Sequence, residues 1–132
     1  MDLDRTPSQI SSAAAEEIRA LNHRTLDAKV FENPSDVAYT ADGIAAVIQR
    51  LPQTLRQLQA GLETLHANQR IRLADRPPHQ VTQDDVDRAV FTALCGLHDA
   101  EHALGAVEQG LRDAQRVLGN LGAPWPEGDD ED

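Results

Sequence analysis

Between Val86 and Leu121 an aliphatic or alanine side chain recurs at alternating steps of four and three residues for ten consecutive steps: Val86, Val90, Ala93, Leu97, Ala100, Leu104, Val107, Leu111, Ala114, Leu118, Leu121. A half-buried strand has a period of two, whereas a spacing that averages 3.5 holds one stripe of an α-helix against a partner. The pattern therefore predicts a single long helix over 83–121. Thr82, followed by Gln83, Asp84 and Asp85, suits its start as a cap with acid in the first turn. Gly119 and Gly122 are expected to end it.

A second seam precedes the first. Ile44, Ile48, Leu51, Leu55, Leu58, Leu62 and Leu65 follow steps of 4, 3, 4, 3, 4 and 3. Asn33-Pro34-Ser35-Asp36 reads as the start, and the predicted helix covers 34–73. Pro52 lies inside it and removes one backbone hydrogen bond. The repeat keeps its phase through Pro52, so a kinked but continuous helix is expected. Ala74 to Val81 contains Pro77-Pro78 and reads as a turn. With so short a connection the two long helices should lie antiparallel, as a hairpin on the order of 55 Å long. The small residues Ala89, Gly96, Ala103 and Gly110, seven apart, should let a neighbouring helix approach closely.

Thr6-Pro7-Ser8-Gln9 marks a third helix start, giving a shorter N-terminal helix over 7–27 with a narrow stripe of Ile10, Ala14, Ile18 and Leu21. The fold class expected is all-α: a long antiparallel, coiled-coil-like hairpin with a shorter N-terminal helix, a three- to four-helix bundle. At 132 residues this is one domain, spanning 1–122. Residues 123–132, APWPEGDDED, are expected to form an acidic disordered tail. The only aromatics are Phe31, Tyr39, Phe91 and Trp125, which leaves Leu, Ala, Val and Ile to do the packing and suits helix-on-helix contact.

The formal net charge is −10, and five of those charges come from Glu127, Asp129, Asp130, Glu131 and Asp132. This balance disfavours nucleic acid and anionic membrane as partners. Arg70, Arg72 and Arg76 form the one basic cluster that could act against it. Antiparallel pairing should set Arg70 and Arg72 near Asp84, Asp85 and Asp87. No run approaches the roughly 18 apolar residues of a membrane span, and the polar opening MDLDRTPSQ has no signal-peptide character. One cysteine, Cys95, excludes an intrachain disulfide and fits a reducing compartment, so a cytoplasmic location is expected. One lysine against eleven arginines reads as the footprint of a GC-rich genome, and an actinobacterial source is expected.

The sharpest motif-like string is Cys95-Gly96-Leu97-His98-Asp99-Ala100-Glu101-His102. It matches the H-x-x-E-H pattern of inverted zinc metallopeptidases, in which two helical histidines four apart hold zinc and the glutamate serves as base. Cys95, His98 and His102 share one helix face and are the metal candidates. Against this, the chain lacks a downstream third ligand and a cleft, so surface or helix-packing roles are favoured and no metal or cofactor is expected. Phe91, Leu94, Cys95 and His98 form a second apolar stripe, read either as a partner groove or as the dock for the N-terminal helix, the latter being favoured. Trp125, between Pro124 and Pro126, suits a linear docking segment. The partner-binding candidates are Phe91, Leu94 and Trp125.

No catalytic constellation stands out. The expected function is non-enzymatic: a helical protein–protein interaction or accessory protein, with a protein partner, a second copy of the chain, or both. The alternatives are a metal-binding bundle through His98 and His102, and a secreted hairpin or antitoxin-like partner protein. In outline the hairpin is similar to small proteins of actinobacterial type VII secretion. Their turn carries Trp-x-Gly where this one reads Arg76-Pro77-Pro78-His79, so the likeness is one of shape alone.

Overall fold

The computed structural model describes residues 1–126. The acidic residues 127–132, most of the tail expected to be disordered, lie outside the described residues. The chain is helical: α1 (Pro7–Arg24), a 3-10 turn (Ala28–Val30), α2 (Pro34–Ala67), a second 3-10 turn (Pro78–Gln80) and α3 (Gln83–Leu118), with no strand among the described residues.

The starts are set by local hydrogen bonds. At α1 the Thr6 hydroxyl accepts from the Gln9 amide at 3.2 Å, and the Gln9 side chain accepts from the Thr6 amide at 2.9 Å. At α2 the Asp36 carboxylate accepts from the amides of Asn33 and Glu32. At α3 the Thr82 hydroxyl accepts from the Asp85 amide at 3.2 Å, while the Asp85 carboxylate accepts from the Thr82 amide at 2.9 Å. Each closes orphan donors of a first turn.

The ends depart from expectation. α2 stops at Ala67 rather than near residue 73. Gln69 takes a left-handed φ of 55°, the Arg70 amide donates to the Leu65 carbonyl at 2.9 Å and the Gln69 amide to that of His66 at 3.1 Å, which is a Schellman closure built without glycine. The seam itself lapses there, because Gln69 and Arg72 occupy its next two positions. α3 ends at Leu118, with Gly119 still at a helical φ of −64°. Its stop therefore does not use a left-handed glycine. Pro52 sits within an unbroken α2, as its uninterrupted phase requires.

α2 and α3 pack along their length, and the bonds between them run antiparallel: Asp42 meets Gln115, Gln59 meets Glu101, and His66 meets Asp87. At about 1.5 Å per residue the two helices extend about 51 and 54 Å. Ile71 and Leu73 of the connection line a hollow with Val81 and Val86, closing the turn end of the hairpin. α1 makes no contact of comparable extent with either long helix and contains no buried residue.

The packed side differs from the predicted seam by a rotation. Leu97, Leu104, Leu111 and Leu118 of α3 are half-buried, as are Ile48, Leu55 and Leu62 of α2. The second leg of each seam is inside only in part: Val86 is buried and Ile44 and Leu51 are half-buried, but the rest is not. Ala93, Ala100, Val107 and Ala114 are exposed, and their places toward α2 go to the half-buried Leu94, Glu101, Glu108 and Gln115. On α2, Leu58 and Leu65 are exposed while Gln59 and His66 are half-buried. Only Ala45, Val86 and Val90 are buried among the described residues, none of them completely, and the leucine layers stay partly open to water.

Candidate interaction surface

Gln59 and Glu101, bonded across the hairpin, mark one of its sides. That side is charged: Arg56 reaches Glu101 at 3.8 Å and Arg112 holds Glu108 at 2.6 Å. At 100° per residue, Leu58 on α2 and Ala100 on α3 are displaced the other way from the leucine line, and both fall on the opposite side. There α3 presents Ala89, Ala93, Gly96, Ala100, Ala103, Val107, Gly110, Ala114 and Val117, all exposed. α2 adds Ile44, Val47, Leu51, Thr54, Leu58, Gly61 and Leu65. Not one of these residues carries a charge. Leu58, Leu65 and Val107 are 53%, 48% and 46% exposed, so large aliphatic side chains stand in water along this whole face.

The glycines here have no structural reason within the chain. A Cβ added at Gly61, Gly96 or Gly110 would meet nothing within 4 Å. Glycine inside a helix costs about 1 kcal/mol relative to alanine, and the close helix approach predicted for these positions is not made by α1 or α2.

The predicted site residues fall elsewhere. Cys95, His98 and His102 are exposed on the outer side of α3, away from α2. Among the described residues no group of three or more His, Cys, Asp or Glu side chains is placed to hold a metal ion. Phe91 is 67% exposed and Leu94 half-buried, so the stripe they were expected to share is divided, with Leu94 turned toward α2. The preferred reading, that α1 docks on this stripe, does not hold. Trp125 is 93% exposed in the extended segment after α3.

The turn end carries the perturbed carboxylates. The Thr82 amide and hydroxyl, helped by Arg76 at 3.8 Å and by Arg88, hold Asp85 below the usual carboxylate range. The Gln83 side chain and His66, the latter at 2.7 Å, do the same for Asp87. The partners reaching these acids from outside α3 are therefore Arg76, by charge, and His66, by hydrogen bond, whereas Arg70 and Arg72 stay exposed beyond the end of α2. Arg76, Asp85 and Arg88 line an open hollow with Ala89, Thr92 and Ala93, at the turn end of the uncharged face, and the Arg76–Asp85 pair ties the connection to the start of α3. The sequence did carry the signal for the uncharged face, in the absence of any charge from Ala89 to Val117 at two heptad positions. The small residues at one of these positions point to a packed helix there, either the N-terminal helix or a second copy of the chain.

The fold is thus an elongated helical hairpin with an uncovered apolar side. Comparison with known protein families, curated proteins and solved structures finds no match. Among the described residues no helix is long and apolar enough to cross a membrane.

Proposed function

We propose that this chain is a non-enzymatic helical interaction protein that works by self-association. The observation carrying this reading is the uncharged face with its exposed Leu58, Leu65 and Val107, set against a core that among the described residues buries only Ala45, Val86 and Val90. A chain of this length depends on burial to offset the conformational entropy of ordering some 88 helical residues, and three small buried side chains beside layers of half-buried leucine leave much apolar surface still in water. Association supplies the missing burial. Analytical ultracentrifugation tests the reading, with an oligomer expected at micromolar concentration. An unfolding midpoint that rises with protein concentration is the accompanying signature. A strictly monomeric species at high micromolar concentration overturns it.

A further inference from the structure

We infer that the uncharged face is covered by a second copy of the same face, related by a two-fold axis running parallel to the hairpin, to give an antiparallel four-helix bundle. This rests on the self-association reading and adds which surface is used, with which symmetry.

The accessible surface of the chain is 10849 Å², whereas a compact monomer of 14.4 kDa exposes about 6,800 Å². The excess of about 4,000 Å² leaves ample surface for a stable homodimer, whose interface buries at least about 1,200 Å² in total. Two helices side by side are about 20 Å wide, and the face runs about 32 Å from Ile44 to Leu65. Covering it buries about 640 Å² on each copy, or about 1,300 Å² in all.

The face is self-complementary under one operator. The bonds Gln59–Glu101 and Asp42–Gln115 set the levels of the two helices, placing Leu51, Leu58 and Leu65 level with Val107, Ala100 and Ala93. A two-fold axis along the hairpin keeps every residue at its level and lays α2 of one copy over α3 of the other. Large leucines then meet the small residues of the partner helix twice over, as an isologous interface demands. A perpendicular axis would instead set leucine against leucine and leave the glycine-rich helices to each other. The contact buries no charge, because the face residues carry none; charge borders the face only at its turn end, where the Arg76–Asp85 pair lies beside Ala89 and Ala93. Gly96 and Gly110, without a neighbour inside the chain, gain one in the partner's α2.

The test uses the full chain carrying Cys95→Ser. One batch bears Leu58→Cys, a second Ala100→Cys, and the two are mixed and oxidised. Disulfide-linked heterodimer in clear excess over either homodimer is expected. Linkage of Leu58→Cys mainly to itself overturns the parallel axis. Leu58→Glu and Phe91→Glu are then compared by sedimentation at matched concentration. A dissociation constant raised at least tenfold by Leu58→Glu, and unchanged by Phe91→Glu, is expected. Dimers that survive Leu58→Glu and dissociate with Phe91→Glu overturn the assigned face while leaving self-association standing, whereas a monomeric parent chain removes both.

Discussion

The Gln59 side-chain amide donates to the Glu101 carboxylate at 3.3 Å across the hairpin, while also donating to the Leu55 carbonyl of its own helix. Both residues sit among the leucine layers, where the heptad pattern placed Leu58 and Ala100. The Glu101 side chain is only 20% exposed and has Arg56 as its second partner. This pair marks the side on which the two helices are rotated together, and the rotation leaves the other side bare.

Removing one partner should therefore cost more than removing both. Glu101→Ala strips a half-buried amide of its acceptor and is expected to lower stability by about 1 kcal/mol. Gln59→Leu together with Glu101→Leu replaces the pair with apolar contact and should be neutral or stabilising. Urea denaturation at one fixed protein concentration measures both. A double variant less stable than Glu101→Ala would show that the pair itself orders the hairpin.

Acid should weaken the turn end. Asp85 and Asp87 both titrate below the ordinary carboxylate value of 3.8, held there chiefly by Thr82 and Gln83. A carboxylate whose native pKa is depressed stabilises the fold fully above its unfolded pKa, and that contribution is lost as pH falls through the native value. The urea midpoint should hold between pH 7 and 5 with respect to these groups and fall below about pH 4. Asp85→Asn should start lower at pH 7 and lose less between pH 5 and pH 3. Parallel curves for the two proteins would exclude Asp85 as a source of the acid sensitivity.

Pro52 offers a gain. It lies within a continuous α2, where it lacks an amide to donate and crowds the preceding turn. Replacement by alanine is expected to raise stability by about 1–3 kcal/mol, less whatever contact the half-buried ring makes with α3. Thermal and urea unfolding report the change, and a destabilised Pro52→Ala would mean that the ring packs more than it strains.

The helices and their antiparallel pairing were legible because capping chemistry and a 3.5-residue period are local signals. Thr6, Asp36 and Thr82 cap as their spacing indicates, and the leucines from Leu97 to Leu118 face the partner. The rotation was not legible. Apolar residues lie on both flanks of the leucine line, and a pattern wide enough for two partners does not say which flank meets the partner within the chain. The polar residues that settle it, Gln59, Glu101 and Gln115, look like solvent-facing positions in isolation. The end of α2 was missed because a left-handed Gln69 has no glycine to announce it. The metal reading of His98 and His102 followed from spacing alone, which fixes a shared helix face but not a third ligand. The unfolding midpoint is expected to stay unchanged with stoichiometric zinc. A zinc-dependent rise, absent in a His98→Ala and His102→Ala variant, would reinstate the site.

The interior glycines separate the bare hairpin from the bundle by the sign of one measurement. Gly105 lies on the outer, charged side of α3, and Gly96 and Gly110 lie on the uncharged face; none has a neighbour within reach of an added Cβ inside the chain. In an isolated hairpin alanine at each position should raise stability by about 1 kcal/mol, because only helix propensity changes. Against a partner helix the added methyl at Gly96 or Gly110 intrudes on a close approach, and overpacking costs about 1–3 kcal/mol. Gly105→Ala should therefore stabilise, while Gly96→Ala and Gly110→Ala should not, with urea midpoints taken at a concentration where the parent chain is associated. Equal gains at all three positions would mean that nothing packs closely on this face.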